Sequence, residues 1–322
     1  MLSLPDFKEK TIIFAFLSRE DRLNFKNDNV VIRNNGKIIH QSSCYRLFAL
    51  FIVGHTSVTT GLIQRAKKFG FAIIFLTHSL KYYASWNAQT EGNTLLREKQ
   101  YRYDSPEIAN YLVFNKIAGQ IDNLKQMRMK TNAVNGAIQV LQQLQSRLNS
   151  YDLPLESLLG VEGNASKIYF QEMFRDYNWT GRKPRVKHDL INSLMDFGYT
   201  LLFNMVEALL RLYGFDVYKG VYHKEFYQRK SLVCDLVEPF RPLIDYRIRK
   251  AFNLGQVDEN DFMKIQGQYK LSWKNSSKYS SWLLKELIDH KIPIFQFIQS
   301  YYRSFLREKE IQDYPVFKKE CL

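Results

Sequence analysis

Between His223 and Asp245 the chain reads HKEFYQRKSLVCDLVEPFRPLID, which sets one imidazole, two carboxylates three residues apart and two prolines inside a helix-like apolar pattern. Asp235 and Glu238, at i and i+3, are expected on one face of a helix. His223 lies just upstream, before Ser231, a residue suited to cap that helix. Imidazole nitrogen and carboxylate oxygen on rigid elements form a donor set for a divalent cation, and its oxygen-rich character favours magnesium or manganese over zinc. Lys224, Arg229, Lys230 and Arg241 surround these residues and suit a substrate rich in phosphate. The combination points to metal-assisted phosphodiester chemistry.

Each feature also has a plainer reading. Leu232, Val233, Leu236, Val237 and Phe240 make the helix apolar, so its two acids are costly unless they meet cations or metal. An ion pair with Arg241 or Arg247 would satisfy them as well as a metal. Pro239 and Pro242 cannot donate to the carbonyls of Asp235 and Glu238, which loosens the helix at both acids, although a simple kink explains the prolines equally. A third candidate ligand, Glu162, sits in Gly160-Val161-Glu162-Gly163, within a segment that otherwise reads as helix through Phe174. A helical glycine costs about 1 kcal/mol against alanine, so the two glycines predict close packing against another element. A solvated Glu162 is the alternative. Gly214 and Gly220 bracket a strand-like link, Phe215–Tyr218, ahead of His223. His40, His55, His78, His188 and His290 have no acidic partner at ligand spacing and are expected to be structural or surface residues.

The formal net charge is +14. Residues 1–150 carry 20 basic and 10 acidic side chains, residues 151–322 carry 26 and 22, so the excess is greater in the first part. Such a surface attracts polyanions, double-stranded DNA among them, although a cationic protein need not have such a partner. The loop Gly181-Arg182-Lys183-Pro184-Arg185-Val186-Lys187, ahead of a helix at Asp189, offers Arg182, Lys183, Arg185 and Lys187 as further DNA contacts or as ordinary solvated surface. Cys44, Cys234 and Cys321 are isolated, which argues against a disulfide framework and fits a reducing cytoplasm. The start, MLSLPDFKEK, lacks the apolar run of a signal peptide, and runs such as Leu47–Val53 are too short to span a membrane.

The elements that must position these residues read as α+β. Strands are expected over Thr11–Leu17, around Leu23 and Phe25, over Val30–Arg33, at Ile38 and Ile39 after the Asn35-Gly36 turn, and over Arg46–Val53. A helix over Ser57–Phe69 and strands over Phe71–Leu76 and Lys81–Ala84 complete a small sandwich-like N-terminal domain, residues 1–88. Helical spacing then dominates: Ile138, Leu141, Leu144 and Leu148; Leu190 to Leu209; and Trp282–Ile288 and Phe295–Leu306 around Pro293. Residues 89–322 are accordingly expected to be an all-helical domain that carries the site.

Three segments in order, GVEGNASKIYF at 160–170, NSLMDFGYTLLF at 192–203 and GFDVYKGVYHKEFYQRKSLVCDLVEPFRPLID at 214–245, resemble the CRISPR-associated spacer integrases. The resemblance implies a metal-dependent DNA integrase and endonuclease that inserts short fragments into a repeat array by attack of 3′-hydroxyls. It implies Glu162, His223 and Glu238 as ligands of Mg2+ or Mn2+, Asp235 as an additional active-site acid, Asn192 and Tyr199 on a helix facing the site, and Arg241 closing the FRP signature. It also implies a homodimer through the N-terminal domain, two dimers bridged by a small ferredoxin-like adaptation partner into a heterohexamer, and an end-processing nuclease as a further partner. Two positions depart from the family: Val217 stands where proline is frequent, and Glu238 where some members have aspartate. A branched-DNA (junction) nuclease and a catalytically silent DNA-binding scaffold are the competing readings.

Overall fold

A computed structural model describes residues 3–18, 20–54, 56–77, 82–87, 92–177 and 179–319. The expected roles of His55, His78 and Cys321, the strand start at Lys81 and the boundary at residue 88 lie outside the described residues.

After a short helix α1 (Leu4–Lys8), the chain forms β1 (Thr11–Leu17), β2 (Asp21–Lys26), β3 (Asn29–Asn34), β4 (Lys37–Ser43) and β5 (Leu47–Gly54). Helix α2 (Thr60–Phe69) and strands β6 (Ala72–Leu76) and β7 (Tyr82–Trp86) follow. Asn27 and Asp28 turn β2 into β3, and Asn35 with Gly36 turns β3 into β4, all four at positive φ as tight hairpins require. These three strands form an antiparallel sheet. The other sheet runs β1-β5-β6-β7, and its β1/β5 and β5/β6 pairs are parallel. Every residue of β5 is buried, as suits a parallel strand covered on both faces. Ile13, Leu17, Val30, Leu50 and Ile73 share a core with Leu62 of α2, so the expected two-sheet unit is present. On the other face, Phe7, Phe48 and Phe51 join the core of the helical part.

The helices are α3 (Thr94–Arg102), α4 (Glu107–Lys125), α5 (Asn132–Ser146), α6 (Leu155–Met173), α7 (Leu190–Tyr213), α8 (Ser231–Leu236), α9 (Arg241–Asn253), α10 (Trp273–Asp289) and α11 (Lys291–Leu306). The expected all-helical character needs one correction. A hairpin of β8 (Phe262–Ile265) and β9 (Gln268–Leu271) lies between α9 and α10, where Gln266 and Gly267 supply the positive φ of its turn. The strand-like link Phe215–Tyr218 is irregular backbone, not a strand. Pro293 does not separate the last two helices; it sits in the first turn of α11, where its missing N–H costs nothing.

Helices α4, α6, α7 and α9 surround the site. Two glycines let them approach: a Cβ on Gly119 of α4 would lie 3.0 Å from Pro242, and one on Gly198 of α7 would lie 2.5 Å from Ile244. No helix among the described residues is long and apolar enough to cross a membrane.

Candidate active site

Helix α8 is short for a reason the prolines supply. Pro239 has no N–H to continue the helical ladder, so after Leu236 the chain narrows into a 3₁₀ turn over Glu238–Phe240, with Phe240 N donating to Val237 O at 3.0 Å. Pro242 then occupies the first turn of α9. The break changes the helical phase between the two acids. Asp235 and Glu238 therefore do not act as one carboxylate pair on a helix face; they meet different partners.

Asp235 is fully buried and turned to the loop that carries His223. Its Oδ2 accepts from Val221 N at 2.7 Å and Tyr222 N at 3.1 Å. Its Oδ1 accepts from His223 N at 2.9 Å and faces His223 Nδ1 at 2.6 Å. Both oxygens are thus occupied. A buried carboxylate accepts, so Nδ1 carries a proton, and in the neutral ring the lone pair is then on Nε2. Gly220 makes the cradle possible, because a Cβ there would lie 2.7 Å from Asp235 Oδ2.

Glu238, also buried, meets two cations: Arg241 Nε at 2.9 Å from Oε1 and Lys116 Nζ at 2.7 Å from Oε2. Both contacts are close ion pairs, with neither Glu238 Oε2 nor Arg241 Nε in ideal hydrogen-bond geometry. Burial would raise the Glu238 carboxyl, but Arg241 and Lys116 overcome it and hold the group down at about 2. Lys116 of α4 also pairs with Glu162 Oε1, and Tyr222 OH donates to Glu162 Oε2. Burial alone would lower the Lys116 pKa, but the two glutamates raise it.

The glycines beside Glu162 overturn the packing expectation: a Cβ on Gly160 or Gly163 would meet nothing within 4 Å. Their face is open, and Gly163 lines a cleft of about 1590 Å³. Lys116, His223, Glu238, Arg241 and Asp245 line the same cleft, together with Tyr82 of β7 and Lys270 of β9. Arg182 of the basic loop is an anchor, donating to Asn192 Oδ1 at 2.9 Å and pairing with Asp196 Oδ1 at 2.6 Å. Lys183 and Arg185 are exposed, their backbone amides held by Asn192 and Asp196, and Lys187 O accepts from Tyr269 N at 2.7 Å. Arg185 and Lys187 line the cleft; Lys183 does not. Beyond His223, Lys224 and Arg229 are exposed, and Arg229 lines the cleft. Lys230 also lines the cleft but is paired with the protein's own groups, 2.7 Å from Glu207 and 4.9 Å over the ring of Tyr82. Arg241 and Arg182 both lie over the Tyr199 ring, at 4.6 and 5.4 Å.

Reasoning from sequence missed Lys116, Tyr222, Asp245 and the anchoring acids Asp196 and Glu207. Lys116 left a signal, a lone cation in the apolar run Tyr111–Ile121. Asp245 accepts from Tyr199 OH, and burial, only partly offset by that bond and by Arg241, raises its carboxyl to about 6. His188 and His290 also have carboxylate neighbours, Asp189 at 3.0 Å and Glu286 at 3.4 Å, contrary to expectation; each has one, which is no ligand set.

The donor chemistry suits magnesium or manganese. Glu238 and His223 line the cleft, Glu162 meets Glu238 across the Lys116 ammonium, and a positive group therefore already lies between the two glutamates. In this conformation no three His, Cys, Asp or Glu side chains converge as a ligand group among the described residues, and the Lys116 ammonium stands between Glu162 and Glu238.

Comparison with known proteins places this architecture. The CRISPR-associated endonuclease Cas1 1 of Thermodesulfovibrio yellowstonii is 29% identical over 312 residues, covering 92% of this chain and 98% of its own. A Cas1 protein from Thermotoga maritima superposes with a TM-score of 0.77 at 17% identity, covering 96% of this chain and all of the other. The chain in a Cas6-RT-Cas1–Cas2 complex gives 0.79 at 21% identity, with this chain spanning 36% of that longer one. A casposase bound to integration product gives 0.75 at 18%, covering 96% of each. The sequence profile of CRISPR associated protein Cas1 matches residues 15–300, and with that match over most of its length the chain belongs to the Cas1 family.

Proposed function

We propose that this protein is the metal-dependent DNA integrase and endonuclease of CRISPR adaptation, joining the 3′-hydroxyl ends of short DNA fragments to the repeat array. The observation that carries this reading is that Glu162 and Glu238 share the Lys116 cation, with Lys116, Glu238 and a histidine fixed by Asp235 lining a cleft that has a cationic rim. The endonuclease name of the Thermodesulfovibrio yellowstonii relative and the casposase held with its integration product support it. The Cas1–Cas2 complex supports a Cas2-type bridging partner.

Glu162, His223 and Glu238 would hold magnesium or manganese, which supplies Lewis acidity at a phosphoryl oxygen. Asp235 is a positioning residue: it fixes the His223 tautomer and the loop amides. Arg185, Lys187 and Arg229 bind phosphates at the rim. Arg241, held against Tyr199 and Glu238, orients the backbone of the bound strand. In the reaction the attacking 3′-oxygen bonds to phosphorus while the 3′-oxygen of the cut strand leaves with the bonding pair. One phosphodiester replaces another, so positioning is the protein's main task.

The test is strand transfer of labelled fragments into a supercoiled, repeat-bearing plasmid with the Cas2-type partner, in manganese and in chelator. Joining that needs metal and is lost in Glu162→Gln, His223→Ala and Glu238→Gln, with DNA binding retained, is the expected result. Cleavage of branched DNA without joining would place the chain with junction nucleases, and binding without either reaction would make it a scaffold.

A further inference from the structure

Among the described residues, Lys116 is the side chain that pairs directly with both glutamates of the site. It projects from α4 to Glu162 on α6 and to Glu238 on the turn before α9. The outer oxygens of these acids are already committed, Glu162 Oε2 to Tyr222 OH and Glu238 Oε1 to Arg241 Nε. The inner oxygens, Glu162 Oε1 and Glu238 Oε2, both face the lysine ammonium. That leaves a single cation-sized position between two carboxylates, and Nζ fills it.

We propose that Lys116 holds the place of the divalent cation: its ammonium lies between Glu162 and Glu238 while the site is free of metal, and an entering ion displaces it into the cleft. This deepens the metal-site reading above and rests on it. Two buried or half-buried acids from different elements repel, and removing their cation would leave uncompensated charge. Arg241 makes a direct ion pair only with Glu238, through Oε1, while its guanidinium lies 4.6 Å over the Tyr199 ring; Glu162 feels it only at longer range. A lysine suits the part. Its charge is compact, its donors rotate, and its four-carbon stem can swing without disturbing α4. Lys116 also lines the cleft, so the displaced ammonium has somewhere to go. There it becomes an additional positive group where the phosphate backbone would lie, and metal entry adds a charge for DNA as well as an ion for chemistry.

The consequence is competition. The full-length protein should bind manganese less tightly than its donor set allows, and Lys116→Met should bind it about tenfold or more tighter, ~1.4 kcal/mol per decade. Isothermal titration with manganese alone, on wild type and variant, reads this directly. Equal or weaker affinity in a folded Lys116→Met overturns the proposal. If that variant does not fold, a crystal structure of the wild type with manganese decides: Nζ withdrawn from both inner oxygens supports it, and Nζ still touching both beside the ion overturns it. The underlying reading fails separately. Wild type that takes up no manganese, with Glu238→Gln behaving identically, removes the metal site and this inference together, whereas manganese bound at Glu162, His223 and Glu238 with Lys116→Met unchanged removes only this inference.

Discussion

Asparagine at position 235 is the sharpest probe of the site, because it keeps the size of the aspartate and changes only what it can accept. Asp235 takes four donors: Val221 N and Tyr222 N on one oxygen, His223 N and Nδ1 on the other. The variant must turn its NH2 toward one pair. Facing Val221 and Tyr222, it strands two buried amides, each costing about 1–3 kcal/mol. Facing His223, it strands one amide, because the imidazole can change tautomer and accept at Nδ1. The second orientation is cheaper by one stranded donor, so it should prevail. Asp235→Asn should therefore fold with a loss of about 1–3 kcal/mol and carry its proton on Nε2, where ligation to metal is blocked. Metal affinity and strand transfer should fall by about 10–100-fold or more. The assays are manganese titration, strand-transfer rate and nitrogen NMR of the labelled imidazole. A folded Asp235→Asn with near wild-type rates, or one that retains its proton on Nδ1, would refute the reasoning.

Three further outcomes are expected. Asp245 has its pKa raised to about 6, so its contribution to stability is fully present below about pH 4 and is lost as pH rises through 6, a difference of about 3 kcal/mol by linkage. Denaturant unfolding from pH 4 to 7 should show that decline in wild type, and Asp245→Asn should remove it. Gly220→Ala drives a methyl to 2.7 Å from Asp235 Oδ2 and should cost about 1–3 kcal/mol by thermal unfolding, with strand transfer impaired; unchanged stability and rate would mean that the cradle is looser than described. Replacing Arg185 and Arg229 with alanine should flatten the salt dependence of DNA binding by about 0.9 per lost phosphate contact on a log–log plot, whereas Lys230→Ala should leave that slope alone and cost stability, about 2–4 kcal/mol, because it strips a cation from buried Glu207.

Much of this architecture was legible in the chain. Alternation and Asn-Gly chemistry located the strands of the N-terminal unit, and apolar spacing located α5, α7 and α11, because those signals are local. The parallel pairing of β1 with β5 was not legible, since register between distant strands leaves no mark on either one. The hairpin at Phe262–Leu271 was missed because its strands are only four residues long and the apolar Met263 and Ile265 are exposed, so no alternation marks a buried face. At the site, ligand types could be read from segments 160–170 and 214–245, but partners could not. Asp235 and Glu238 looked like a pair on one helix, and Pro239 was read as loosening that helix without the change of phase that separates them. Gly160 and Gly163 looked like packing glycines and instead face open space, since glycine marks closeness and openness alike.

The net charge of +14 misleads in the same way when it is taken as a map of contacts. Lys116 and Arg241 answer Glu238, Lys230 and Arg211 answer Glu207, and Arg182 answers Asp196. These cations lie near or in the cleft, yet their charge is largely spent on acids of the protein itself. A site for a polyanion that also needs carboxylates for a metal faces a conflict: uncompensated acids would repel the substrate before any ion arrived. Matching Glu238, Glu207 and Asp196 to internal cations, and Asp235 and Asp245 to neutral donors, eases it. The attractive field is then carried largely by exposed rim residues such as Arg185 and Arg229. It follows that substitutions on the floor should act on stability, metal affinity and rate, and substitutions at the rim on DNA affinity and its salt dependence.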